Sequence, residues 1–157
     1  MSGSSGNSGE APRLQGAKPA DYAGDVSAAD AFEALRSQPS AVLVDVRSDA
    51  EWNFVGVPDL AGLGKEPLLV SWQVFPGMKL NPSFVDTVKA RIPATDAPVF
   101  FICRSGARSR AAAIALTEAG YARAYNVAAG FEGDLDPARH RGTVGGWKAS
   151  GLPWKQS

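Results

Sequence analysis

The chain has 157 residues, of which 45% are hydrophobic, and its sixteen Lys plus Arg balance sixteen Asp plus Glu. This size fits one domain, and a formal net charge of zero argues against nucleic-acid binding driven by overall charge. One cysteine rules out an internal disulfide and a multi-thiolate zinc site, and one histidine leaves little room for other metal sites. The apolar runs fall far short of the roughly 18 residues of a membrane span, so we expect neither nucleic acid nor membrane as a partner.

The first residues have the composition of a flexible tail. Residues 1–10 hold four serines and three glycines, as a tag remnant does, and residues 11–24 show no hydrophobic period. The segment lacks the basic start and the apolar core of a signal peptide, which favours a cytoplasmic protein. We therefore predict a tail over residues 1–25 and one domain over residues 26–154.

Short apolar runs alternate with helical patterns along the rest of the chain. Helices are predicted from Ser27 to before Pro39, from a capping box at Ser48, from Asn81 to Ile92 and from Ser109 to Ala119. Strands are predicted near 41–46, 68–71, 99–102 and 124–127, and a Gly- and Pro-rich loop over 56–67. This alternation predicts an α/β fold with a mainly parallel central sheet and helices on both faces. In such folds ligands bind beyond the carboxyl ends of the strands.

The lone cysteine, Cys103, follows the most apolar predicted strand and begins a short loop into a helix. The loop N–H groups can converge above the sulfur, and the N-terminus of the following helix adds positive potential there. Three arginines in the same segment add charge: Arg104, Arg108 and Arg110. These features favour the thiolate over the thiol, and Gly106 permits the tight backbone that such a cradle needs. The pattern predicts a nucleophilic sulfur in an anion-binding pocket.

The cysteine loop and its flanks resemble the rhodanese family of sulfurtransferases. The active-site pattern of that family, a strand followed by Cys-x-x-Gly-x-Arg-Ser and a helix, matches residues 103–109. Upstream, residues 45–52 match its Asp-Val-Arg-x-x-x-Glu-aromatic pattern. Downstream, residues 125–131 resemble its strand and glycine turn, and residues 145–154 resemble its C-terminal ending. The resemblance covers nearly the whole predicted domain and implies the rhodanese-like fold.

The resemblance also implies a chemistry in which Cys103 is the catalytic residue. The loop around it would bind a small anionic sulfur donor such as thiosulfate, through Arg104, Ser105, Gly106, Ala107, Arg108 and Ser109. The thiolate would take the outer sulfur of the donor as a persulfide, and cyanide, a thiol or a sulfur-relay protein would then accept that sulfur. No cofactor and no general base are needed once the thiolate has formed.

Two features depart from the family pattern. Many members carry Gly-His-Ile-Pro-Gly-Ala after the aromatic residue, whereas this chain reads Val-Gly-Val-Pro-Asp-Leu over residues 55–60. An additional stretch, residues 134–144, separates the glycine turn from the C-terminal ending. Both differences alter the rim of the expected pocket, so the family's substrate choice does not carry over.

Two other functions remain open. Cysteine-dependent phosphatases share this scaffold, but their loop has one residue more than the four that separate Cys103 from Arg108. The shorter loop favours sulfur over a tetrahedral phosphate. Alternatively, the domain presents Cys103 to a partner as a sulfur carrier or a redox-sensing thiol, without turnover. An inactive scaffold is disfavoured because the cysteine is present.

Several other side chains are expected to support the site or the core. Asp45 and Arg47, at the end of a predicted strand, are expected to form a buried pair that supports the cysteine loop. Glu51 is expected to cap its helix or to pair with Arg47. Trp147 and Trp154 are expected to pack the C-terminus against the domain.

Overall fold

The computed structural model describes residues 22–74, 79–104, 106–132 and 146–155. In chain order its elements are β1 (Gly24–Val26), α1 (Ala28–Ser37), β2 (Val42–Asp45), α2 (Asp49–Phe54), β3 (Val57–Pro58), β4 (Leu68–Leu69), β5 (Gln73–Val74), β6 (Lys79–Leu80), α3 (Phe84–Arg91), β7 (Val99–Ile102), α4 (Ala107–Glu118), β8 (Ala124–Val127), α5 (Gly146–Ala149) and β9 (Trp154–Lys155). A short 3-10 turn, Ala61–Leu63, lies between β3 and β4.

Five parallel strands form the central sheet in the order β1-β8-β7-β2-β4. Their register places Val44 opposite Phe101, and Phe101 opposite Asn126. Two small antiparallel pairs, β3 with β9 and β5 with β6, lie outside this sheet. The predicted mainly parallel α/β fold is confirmed, and all four predicted strands belong to the central sheet.

Helices cover both faces of the sheet, as the alternation predicted. On one face, α3 and α4 pack over a core that includes Phe84, Phe101 and Leu116. On the other face, α1 and α5 enclose Leu35 and Trp147. Because helices cover both faces, a ligand can approach the sheet only at the loops that follow the strands. Cys103 follows β7, the middle strand, and therefore lies at such a loop.

The local helix signals explain most helix boundaries. Ser27 caps α1 by accepting a hydrogen bond from the Asp30 N–H at 3.0 Å, and Ser48 and Glu51 form the predicted capping box of α2. The predicted start of α3 at Asn81 is wrong. The Asn81 side chain accepts a bond from the Ser83 N–H at 3.0 Å, so it closes a turn before the helix begins.

Five short strands were not predicted, namely β1, β3, β5, β6 and β9, and two of them lie where the sequence predicted a tail or a loop. β1 starts at Gly24, within the segment interpreted as a tail, and gains its hydrogen bonds from β8. β3 lies in the predicted loop and pairs with β9, where a Cβ on Gly56 would stand 2.7 Å from the Lys155 carbonyl oxygen. Both strands therefore depend on distant partners, which local patterns do not reveal. Within the described ranges, no helix has the length and apolarity to cross a membrane.

Candidate active site

Cys103 lies at the carboxyl end of β7, as predicted, and its residue is 1% exposed. Two backbone N–H groups point at its sulfur: the Gly106 nitrogen lies 3.1 Å from Sγ and the Ser109 nitrogen lies 3.3 Å from it. Gly106 directly precedes α4 and Ser109 lies in its first turn, where backbone N–H groups have no partners within the helix. The arrangement favours negative charge on the sulfur because the donors and the helix dipole both point toward it.

Gly106 is required by the shape of this loop. Its φ of +112° lies in the left-handed region, and a Cβ there would stand 2.1 Å from the Ala128 carbonyl oxygen. The loop therefore packs its backbone directly against the end of β8. A side chain at this position would push the Gly106 N–H away from the Cys103 sulfur.

A second backbone segment holds the start of the loop in place. The Phe131 N–H donates to the Cys103 carbonyl at 2.7 Å, and the Glu132 N–H donates to the Arg104 carbonyl at 3.0 Å. Gly130 makes this approach possible, because a Cβ there would lie 2.4 Å from the Arg104 carbonyl oxygen. The glycine turn that follows β8 is therefore part of the framework of the cysteine loop.

The C-terminal residues secure that glycine turn. Trp147 is fully buried, and its backbone N–H donates to the Gly130 carbonyl at 2.8 Å. Trp154 is 41% exposed, and its ring meets Phe131 edge-on with centroids 6.1 Å apart. Both tryptophans pack the C-terminus as expected, although Trp154 does so from the surface.

Arg108 does not stand free beside the sulfur but forms a two-pronged ion pair with Glu51, at 2.8 and 2.9 Å. Burial alone would raise the pKa of Glu51, but hydrogen bonds from Arg108 and Ser48 outweigh it and bring the pKa to about 2. The same bonds to Glu51 raise the pKa of Arg108. The expectation that Glu51 caps α2 or pairs with Arg47 is confirmed in its first alternative, and the ion-pair partner of Glu51 is Arg108.

Arg47 engages acceptors other than Glu51 in the interior, and its Nη1 atom has no hydrogen-bond partner among the described residues. Its guanidinium donates to Asp45 at 2.8 and 2.6 Å and to the Gly56 carbonyl at 2.7 Å. Both side chains of this pair are fully buried, as predicted. The guanidinium also lies 4.3 Å from the centroid of the Phe131 ring. Through Phe131, this ion pair is connected to the segment that holds Cys103.

The remaining predicted loop residues take different positions. Arg104 and Ala107 are exposed, and Ser105 lies outside the described residues. Arg110 is exposed on α4, and its guanidinium lies 5.9 Å from the centroid of the Tyr22 ring. Of the three predicted arginines, Arg108 is the one whose charge is partly buried near the sulfur, and it is shared with Glu51.

A buried polar network behind the sulfur was not predicted. The Ser109 hydroxyl lies 3.2 Å from the Cys103 sulfur and donates to Asn126 Oδ1 at 2.6 Å. Asn126 Nδ2 donates to Asp25 Oδ1 at 3.0 Å, and the Tyr22 hydroxyl donates to the same oxygen at 2.7 Å. The available signal was Asn126, a polar residue inside an apolar strand, which needs a partner when buried.

Two clefts in the described surface lie apart from this site. One, of about 260 Å³, is lined at the start of β2 by Ala41 and Val42, and the other, of about 440 Å³, lies against Pro58 and Lys155. None of the described residues of the cysteine loop line either cleft. The additional stretch 134–144, expected to alter the pocket rim, lies outside the described residues. Within the described ranges, no group of three or more His, Cys, Asp or Glu side chains is placed to hold a metal ion.

The amino-acid sequence is similar to those of several bacterial proteins. A Rickettsia rickettsii protein, the uncharacterized RP600 homolog, is 37% identical over 131 residues, which are 83% of this chain and 96% of that protein. The uncharacterized RP600 protein of Rickettsia prowazekii is 35% identical over 132 residues, with the same coverage.

Two solved structures share the fold. The crystal structure of Rv0390 from M. tuberculosis has a TM-score of 0.79 and 52% identity, and the match covers 87% of this chain and 99% of that one. The polysulfide-sulfur transferase homodimer of Wolinella succinogenes has a TM-score of 0.58 and 23% identity, over 88% of this chain and 81% of that one. At that identity the second match shows a common fold, which is the fold implied by the rhodanese resemblance.

A family model described as the STR4 middle domain matches residues 23–157. That range begins just before β1 and includes every element described above. It also includes the cysteine loop and the C-terminal residues that secure it. The chain therefore belongs to the STR4 middle domain family.

Proposed function

We propose that this protein is a sulfurtransferase that moves a sulfane sulfur from thiosulfate or a similar donor to a thiophilic acceptor through a persulfide on Cys103. The observation that carries the proposal is the pair of N–H donors, from Gly106 and Ser109, within 3.3 Å of one cysteine sulfur. Such donors stabilise a thiolate nucleophile without a general base. They are part of the backbone, so they are already oriented when the reaction begins.

The first step forms one sulfur–sulfur bond and breaks another. The Cys103 thiolate attacks the outer sulfur of thiosulfate, and sulfite leaves with the electron pair of the broken bond. Negative charge then resides on the outer sulfur of the persulfide. Because Cys103 is 1% exposed, the donor must present a narrow projecting atom, which thiosulfate and polysulfide chains both do.

The second step returns the enzyme to its starting state. Cyanide or a thiolate attacks the outer sulfur of the persulfide, and the Cys103 thiolate leaves with the electron pair. The acceptor becomes thiocyanate or a persulfide, and no cofactor takes part. A sulfur-relay protein is an acceptor of the same chemical class. Action in the cytoplasm stays a prediction of the sequence.

Two arginines of the cysteine loop have different roles in this proposal. Arg108 is paired with Glu51, so its charge is largely compensated, and its role is to tie the first turn of α4 to α2. The exposed Arg104, next to the sulfur in the chain, is available to attract an anion. We therefore assign donor attraction to Arg104 and loop positioning to Arg108. Asp45 and Arg47 support the loop through Phe131.

Mass spectrometry of the intact protein tests the proposal. After incubation with thiosulfate, the wild-type chain should gain one sulfur atom and lose it on addition of cyanide or dithiothreitol. Cys103→Ser is the control and should gain nothing, because a hydroxyl supplies almost no anionic nucleophile near neutral pH. A persulfide that forms but supports no turnover with cyanide or thiols would instead indicate a sulfur carrier.

A parallel assay separates sulfur transfer from phosphate hydrolysis. Thiosulfate and an aryl phosphate are offered to the same preparation, and thiocyanate and free phosphate are measured. The loop of four residues between Cys103 and Arg108 should give sulfur transfer and negligible hydrolysis. Faster hydrolysis with no detectable persulfide would overturn the proposal in favour of a phosphatase.

A further inference from the structure

The Ser109 hydroxyl has one proton and three acceptors around it. Its oxygen lies 2.6 Å from Asn126 Oδ1, 3.2 Å from the Gly106 carbonyl oxygen and 3.2 Å from the Cys103 sulfur. A hydroxyl donates once and accepts through its lone pairs. The direction of this proton therefore decides whether Ser109 donates to the sulfur or accepts from it.

The orientation of Asn126 settles that direction. Asp25 lies opposite Asn126 in the β1–β8 register, and its Oδ1 accepts bonds from Asn126 Nδ2 and from the Tyr22 hydroxyl. An ionised carboxylate only accepts, so Asn126 must turn its NH2 group toward Asp25. Its carbonyl oxygen then faces Ser109, where it too can only accept. The short bond from Ser109 satisfies it.

We propose that Asp25 and Asn126 are positioning residues that hold the Ser109 proton away from Cys103, so that Ser109 accepts from the thiol and does not donate to the thiolate. The inference concerns the regulation of the site of the proposed sulfur transfer, and its biological meaning rests on that function. The backbone N–H groups stabilise the thiolate, whereas this network stabilises the resting thiol. The Ser109 hydroxyl and the Asn126 amide are neutral groups that take up no proton near neutral pH, so the network holds the thiol proton in a hydrogen bond and does not remove it.

The design of the test depends on the charges near the sulfur. The titratable and charged side chains on the elements packed around this site are Tyr22, Asp25, Asp45, Arg47, Glu51, Arg104, Arg108 and Arg110. A Ser109→Ala substitution leaves all of them in place. It therefore isolates the effect of the hydroxyl on the sulfur.

The first measurement is the titration of the thiolate by ultraviolet absorbance on the full chain. There is one cysteine, so the difference from Cys103→Ser reports on this sulfur alone. Removing an acceptor of the thiol should lower the titration midpoint of Ser109→Ala by about half a pH unit, a roughly threefold gain in thiolate below the midpoint. A midpoint that rises or does not move would overturn the proposal, since the loss of a donor to the thiolate would raise the midpoint.

The second measurement repeats Ser109→Ala in an Asp25→Ala background. Without Asp25, the Asn126 amide can turn and the Ser109 proton is free to reach the thiolate, the stronger acceptor. Ser109→Ala should then raise the midpoint, which reverses its sign. Loss of the Asp25 charge lowers the midpoint by itself but cannot reverse the effect of Ser109. If the sign is the same in both backgrounds, the proposed role of Asp25 is wrong.

The matched control is Asp30→Ala, which removes an exposed carboxylate from the first turn of α1. In that background Ser109→Ala should still lower the midpoint. Near-ultraviolet circular dichroism checks that each variant folds. If Asp25→Ala does not fold, Asn126→Leu replaces it as the background, because it removes the acceptor of the Ser109 proton. In that background Ser109→Ala should raise the midpoint. None of these titrations needs a sulfur donor. A protein that gains no sulfur from thiosulfate would overturn the proposed function and leave this result standing, whereas an unreversed sign would overturn this inference alone.

Discussion

The carboxyl ends of the neighbouring strands β2 and β7 lie side by side. A hydrogen bond of 2.9 Å from the Val46 N–H to the Ile102 carbonyl joins them. At the end of β2, the opposite charges of Asp45 and Arg47 meet in the interior and compensate each other, although Arg47 Nη1 has no hydrogen-bond partner among the described residues. Beyond β7, Cys103 receives backbone N–H groups and has no ion-pair partner among the described residues. The first arrangement stabilises the fold, whereas the second prepares an atom to carry charge.

The physical difference lies in where the compensating groups come from. In a buried ion pair the two charges compensate each other, and removal of one partner leaves the other charge uncompensated in a medium of low polarity. Helix N-terminal amides are fixed by the helix, so they can stabilise a new negative charge without rearrangement. The two strand ends should therefore respond differently to substitution, in stability at β2 and in reactivity at β7.

The largest expected effect is on stability, at the end of β2. Arg47→Ala leaves the Asp45 carboxylate buried without its ion-pair partner and should lower the free energy of unfolding by about 3–5 kcal/mol. Urea denaturation measures the loss. The control is Arg36→Ala, which breaks an exposed pair with Glu33 and should change stability little. Equal effects of the two substitutions would mean that the buried pair contributes no more than a surface one.

At the end of β7, Gly106→Ala should reduce both stability and persulfide formation. Gly120, at the other end of α4, is the matched control, because its φ of +108° is nearly that of Gly106 at +112°. Both substitutions carry a backbone strain of about 1–3 kcal/mol. Only at Gly106 does the new Cβ meet a backbone atom, the Ala128 oxygen, at 2.1 Å. If Gly106→Ala forms the persulfide as well as Gly120→Ala does, the loop around the Cys103 sulfur does not need the backbone shape of Gly106.

Arg108→Ala should affect turnover more than folding. It releases the first turn of α4 from Glu51, and the resulting misplacement of the N–H donors should lower kcat/KM for thiosulfate roughly tenfold. Lys should rescue only in part, because a point charge does not reproduce the two-pronged bond. Arg110→Ala, on the same helix but over Tyr22, is the control. Unchanged kinetics in Arg108→Ala would show that the ion pair does not position the loop.

The smallest expected effect is the pH dependence of the Glu51–Arg108 pair. The folded pKa of Glu51, about 2, lies below its ordinary value of 4.5, so the pair contributes stability above about pH 4.5 and loses it as the pH falls toward 2. Urea titrations should show wild type more stable than Glu51→Gln at pH 7. The gap should narrow below pH 4.5. A gap that persists at low pH would mean that the charge of Glu51 is not what stabilises the pair.

The elements that sequence patterns predicted correctly are those with local causes. The caps at Ser27 and Ser48 and the apolar run before Cys103 depend on residues within a few positions. The partners of Glu51 and Asn126 could not be predicted in this way. Glu51 meets Arg108 across 57 positions, and Asn126 meets Asp25 across 101.

The sequence by itself determined an α/β fold and a cysteine at the start of an α-helix, because hydrophobic period, capping residues and loop length act over short stretches of chain. Tertiary structure decided which charges remain near the sulfur and which way the Ser109 proton points. Those properties depend on β1 joining β8 and on α2 lying beside α4. A hydrogen bond or ion pair forms only when folding brings both partners within about 3 Å, and hydrophobic periodicity along the chain does not specify that distance.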